Sequence, residues 1–154
     1  MNTTRRLLLK SATSAGLVAA AVAAGLLKPG QALADWNNAG FTATKAADAL
    51  GAIGASGAAA SSNVEVKAPD IAENGAVVPV EVVTSLPNVE SIALLGEKTA
   101  NPLVAIYALT DFDGPLTTRM KMGQTANVRA VVKAGGKFYT AAKEVKVTVG
   151  GCGG

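Results

Sequence analysis

The sequence predicts an all-β protein: an antiparallel sandwich of about seven strands, preceded by one short N-terminal helix. Three observations carry that reading. From Asn63 onward apolar residues recur with a period of two, as in Val78, Val80 and Val82 set against Pro79, Glu81 and Val83. Such alternation sends successive side chains to opposite faces of a strand. Turn-forming clusters punctuate the pattern at Glu73-Asn74-Gly75, Leu86-Pro87-Asn88, Asn101-Pro102, Asp113-Gly114-Pro115 and Ala134-Gly135-Gly136-Lys137. The segments between them are short, and seven short antiparallel strands at this spacing fit an immunoglobulin-like architecture. The Cys–Trp–Cys pattern of antibody domains is absent, so the likeness is one of architecture alone.

The first 34 residues precede that domain and read as an address. Arg5 and Arg6 stand in Thr4-Arg5-Arg6-Leu7-Leu8-Leu9-Lys10, ahead of an Ala-rich apolar run over 11–27 and the small-x-small signature Ala32-Leu33-Ala34. The paired arginines resemble the twin-arginine export motif, with Leu8 where that motif often has Phe. General secretion is the competing route, since any basic leader can hold adjacent arginines. The run of 17 residues sits at the low edge of what spans a bilayer and is rich in Ala, which weighs against an anchor. The expected cleavage follows Ala34, and the mature chain begins at Asp35 in an exported compartment. Loss of the leader also changes the charge. The whole chain has 14 bases and 11 acids, net +3, but four of the bases and none of the acids lie in the leader. The mature chain is left with ten against eleven, net −1, which gives a nucleic-acid-binding role no support.

Residues 35–62 are expected to hold the helix and a linker. Phe41, Lys45, Ala49, Leu50 and Ile53 recur at three- and four-residue spacings over 41–53, the period of one helical face. Residues 54–62 have few large side chains and read as the linker. The lone Trp36 reads as a packing residue. The sandwich occupies 63–149, with strands expected over 64–68, 77–84, 89–95, 103–109, 116–122, 125–133 and 137–149. Two of these, 91–95 and 103–109, are apolar on both faces, whereas one face of a sandwich sheet is normally wet. Either the helix 41–53 or a protein partner covers the second face.

The residues that are missing exclude chemistry. There is no His and one Cys among the 154 residues. That removes Ser-His-Asp and Cys-His catalysis, His-based zinc or haem sites, and an internal disulfide. The one feature that folding does not explain is the terminal Gly150-Gly151-Cys152-Gly153-Gly154. Glycines on both sides give the thiol a slender arm with maximal backbone freedom, suited to entering a narrow site on another protein. Between Gly150 and Cys152 that arm spans at most about 10 Å. No basic side chain lies closer than Lys146, so the charges that would activate a fast-reacting thiol are expected from a partner. Two readings compete: a reactive carrier thiol, or a structural or adhesive module dimerised through a Cys152 disulfide. A thiol enzyme in its own right lacks a base or second thiol.

Gly-Gly-Cys-Gly-Gly resembles the carrier-arm motif of the SoxY family of the periplasmic thiosulfate-oxidation system. The likeness extends to residues 69–80, beginning Pro69-Asp70-Ile71 and ending Val78-Pro79-Val80. It also takes in Asn101-Pro102-Leu103, Thr118-Arg119-Met120-Lys121-Met122, Lys143-Glu144-Val145-Lys146-Val147-Thr148, the helix region 46–51 and the leader. Ala134-Gly135-Gly136-Lys137 departs from it where an acidic residue before Gly-Lys is expected. The resemblance implies a non-catalytic, cofactor-free periplasmic carrier with covalent sulfur adducts on Cys152 and no stable membrane insertion. It implies a heterodimer with SoxZ, which is then a candidate cover for strands 91–95 and 103–109. It further implies transient visits to the haem enzyme SoxAX, to SoxB and, where present, to SoxCD.

Overall fold

A computed structural model of the protein describes residues 37–148. The chain there forms two helices, α1 (Asn38–Thr42) and α2 (Ala46–Ala52), and nine strands. The strands are β1 (Ala59–Ala60), β2 (Val64–Lys67), β3 (Ile71–Ala72), β4 (Val78–Thr84), β5 (Val89–Gly96), β6 (Leu103–Ala108), β7 (Leu116–Met120), β8 (Ala126–Ala134) and β9 (Lys137–Val147). One sheet runs β1-β9-β8-β5-β6, with β3 also paired to β9; the other runs β2-β4-β7. All pairs are antiparallel except those that β1 and β3 make with β9. The seven longer strands begin and end within two residues of those read from the alternation, and β1 and β3 are additional two-residue strands.

The period-two pattern becomes the core. Val64, Val66, Val78, Val80, Val82 and Met120 from the smaller sheet meet Ile92, Leu94, Val128, Ala130, Val132 and Val145 from the larger. Valine fits here because its branched side chain packs well on a pleated surface. The tight reversal from β8 to β9 uses Gly135 and Gly136, with φ of 55° and 74°, which glycine adopts without penalty.

The helical region differs from one continuous helix over 41–53. Asn37 caps α1 by accepting from the Gly40 N–H at 2.8 Å, and its Nδ2 donates to the Ala52 carbonyl at 2.9 Å. Fifteen residues of straight helix would set those two ends about 22 Å apart. The chain therefore reverses between the helices, with Ala43 and Lys45 in extended conformations. Lys45 becomes the residue preceding α2 and leaves the apolar face to Phe41, Ala49, Leu50 and Ile53.

The segment 54–62 is also more ordered than a linker. Gly54, at φ 75°, donates to Gly51 O and Ala55 donates to Leu50 O, the paired bonds of a Schellman cap. Ala55 is buried, and Ala59–Ala60 pair with β9.

The two-sided apolar strand is explained by a second core. Ile92 and Leu94 face the sandwich interior; Ala93 and Leu95 face outward into a cluster with Val131, Leu103, Ala49 and Ala55. The helices therefore cover the outer face of β5. They do not fully cover β6, whose Val104 and Ile106 are each 38% exposed. A shallow groove of about 210 Å³ beside them is lined by Ile53, Ala93, Ile106 and Phe138 among others. Among the described residues no helix is long and apolar enough to cross a membrane.

Candidate functional site

Gly150, Gly151, Cys152, Gly153 and Gly154 lie outside the described residues, as do Arg5, Arg6 and Trp36. What the structure describes is the root from which the arm departs. β9 outruns its antiparallel partner: the β8 register ends with Ala126 opposite Val145. Beyond that point, the backbone N–H groups of Lys146, Val147 and Thr148, the residue after β9, are satisfied from alternate sides. Lys146 N–H donates to Asp70 O at 3.0 Å and Thr148 N–H to Ala72 O at 3.2 Å, both on the β3 side. Val147 N–H points the other way and donates to the Thr125 hydroxyl at 3.0 Å. A side-chain oxygen thus replaces the carbonyl that a longer β8 would have supplied.

The turn before β4 closes over this end. Asn74 shapes it, its side chain accepting from Ala76 N–H at 3.0 Å and its carbonyl from Val77 N–H at 3.3 Å. Gly75 lies against the strand end: a Cβ there would stand 2.8 Å from Val147 Cγ1 and would collide with the Met122 carbonyl. The Gly75 carbonyl in turn accepts from Met122 N–H at 2.7 Å. Asn74-Gly75 is visible in the sequence as a turn, but nothing in the sequence marks its contact with Val147. Thr125 carries no sequence signal at all.

Charge elsewhere on the larger sheet is organised by pairing. Glu97 accepts from Arg129 Nε and Nη2 at 2.8 and 2.6 Å and from Asn127 Nδ2 at 2.8 Å. Partial burial pushes the Glu97 carboxyl up, and the bonds from Asn127 and Arg129 outweigh it, holding the group below the usual carboxylate range. Glu90 is likewise lowered, by Lys133 and the Gly136 N–H. Both are structural ties. Among the described residues no three His, Cys, Asp or Glu side chains converge as a metal site.

Residues 50–152 match the family model of sulfur oxidation protein SoxY, a span that takes in Cys152. This chain belongs to the SoxY family. The solved structure of the sulfur carrier protein SoxY from Chlorobium limicola f thiosulfatophilum is 40% identical, with a TM-score of 0.62, over 73% of this chain and 100% of that one. Superoxide reductase (neelaredoxin) from Ignicoccus hospitalis aligns at 18% identity and a TM-score of 0.49, over 56% of this chain and 80% of that one. No curated protein matches the chain. Membership of the SoxY family places the chain in sulfur oxidation, in a sulfur-carrier role.

Proposed function

We propose that the mature chain is a periplasmic, non-catalytic carrier that holds thiosulfate-derived sulfur on Cys152 and presents it to the enzymes of the Sox pathway. The observation that supports this reading is the family match over residues 50–152, a span that includes the one cysteine of the sequence. In the first step the Cys152 thiol and thiosulfate join through a new S–S bond. The thiol proton leaves and two electrons pass to the haem enzyme SoxAX. Water then attacks the terminal sulfonate at SoxB, releasing sulfate and a proton and leaving a persulfide on Cys152. SoxCD, where present, oxidises that persulfide further. The carrier supplies the thiol and its reach; with no His in the chain, acid–base and redox groups come from the enzymes.

The twin-arginine leader with Arg5 and Arg6 delivers the chain to the periplasm. SoxZ is the stable partner, and the exposed Val104 and Ile106 on edge strand β6 are the apolar surface left for it once the helices have covered β5.

Intact-protein mass spectrometry of the mature chain, after incubation with thiosulfate and cell extract, tests the reading. Reductant-sensitive additions of one sulfur or one thiosulfonate group are expected, and they should be absent in Cys152→Ser. A reducible mass of two chains with no small adduct would instead establish the disulfide-tethered module.

A further inference from the structure

We infer that Thr125 and Gly75 are positioning residues that pin the end of β9 as far as Thr148, the strand end from which the chain continues to Cys152. This rests on the carrier reading above.

The argument starts from how a strand end normally behaves. β9 continues past the last β8 partner, and an edge extension of that kind frays unless its backbone groups find acceptors. Here the N–H groups of Lys146, Val147 and Thr148 are all bonded, to Asp70 O, Thr125 Oγ1 and Ala72 O. The two carbonyls lie on one side of β9 and the hydroxyl on the other, so the strand is held between them. Gly75 supplies a fourth contact, since only a residue without Cβ can lie between Val147 and the Met122 carbonyl.

The consequence is one of reach and aim. Cys152 is the fourth residue past Thr148, so chain geometry keeps it within about 14 Å of the pinned strand end. If the strand frays back to Val145, the tether from the pinned end to Cys152 lengthens from four to seven residues and its greatest span rises to about 25 Å. The local concentration of a tethered group falls roughly as the −3/2 power of tether length, about twofold for this change. Loss of the strand end's direction adds to that. Every enzyme that receives the arm meets the same root, so the clamp acts on all of them alike.

The test uses the full mature chain together with whatever partner co-purifies. Thr125→Val keeps the shape and removes the hydroxyl; Thr125→Ser keeps the hydroxyl; Thr125→Ala is a second deletion should the valine variant fold poorly. Three rates are read: amide hydrogen exchange over 146–148, reaction of Cys152 with a small aromatic disulfide, and thiosulfate-dependent mass gain with limiting cell extract. Thr125→Val is expected to speed exchange at Val147, leave the small-disulfide rate unchanged and slow enzymatic loading at least about twofold, with Thr125→Ser restoring both. Faster exchange with wild-type loading, or no change in exchange, would overturn the inference. If the wild-type chain itself gains no sulfur, the carrier reading fails, and the exchange data still decide whether the clamp exists.

Discussion

The Tyr107 hydroxyl lies 2.9 Å from the Thr118 hydroxyl and joins the edge strands of two different sheets. β6 closes the larger sheet and β7 the smaller, so this pair bridges the open side of the sandwich. Elsewhere the sheets are held by apolar packing, which is indifferent to direction. Tyr107→Phe should cost about 1 kcal/mol, and Thr118→Val a similar amount. The double variant should cost clearly less than their sum in denaturant titrations. Full additivity would mean that the bond contributes nothing.

Glu97 makes stability depend on pH in a defined direction. Its folded-state pKa is lowered, so the charged form is favoured on folding. The associated stability is complete above the unfolded carboxylate value, about 4.3, and is lost as pH falls through the lower folded value. The stability gap between wild type and Glu97→Gln should therefore be constant at neutral pH and shrink in acid. A gap that persisted unchanged well below about pH 3 would remove Glu97 from the account.

The second core predicts an effect that the inter-sheet core does not. Leu95 is fully buried beneath the helices. Leu95→Ala should destabilise the domain by about 2–5 kcal/mol, and should speed amide exchange in α2 more than Leu94→Ala does. Equal exchange in the two variants would mean that the helices do not depend on that contact.

Ile106 is expected to behave in the opposite way. With 38% of its surface exposed on an edge strand, Ile106→Asp should leave the melting temperature nearly unchanged. It should, however, reduce recovery of the chain with SoxZ, the partner proposed above. Undiminished recovery would remove Val104 and Ile106 from the proposed SoxZ contact.

The glycines of the arm make the last prediction. Replacing Gly151 and Gly153 with Val restricts the backbone and widens the arm beside Cys152. Folding should be unaffected, while sulfur loading and release slow. Unchanged turnover would show that a slender arm is not needed.

By itself the sequence determined the seven longer strands, because a period of two and clustered turn residues are local properties that burial on one face reinforces. It also bounded the chemistry: a chain with one thiol and no imidazole has no Ser-His-Asp or Cys-His arrangement. Residues 91–95 announced a second buried face, yet composition could not say what covered it. That was decided in three dimensions, where the Asn37–Ala52 bond folds the helical region back on itself over Ala93 and Leu95. The same is true of β1 and β3, two-residue strands that exist only because β9 offers them an edge. Thr125 is the clearest case. An isolated threonine before a strand carries no pattern, and its meaning comes from β8 stopping short of β9, so that the Val147 N–H has a hydroxyl as its acceptor. Periodicity reports how a strand meets its own core; contacts between segments distant in sequence leave no period, and only tertiary structure places them.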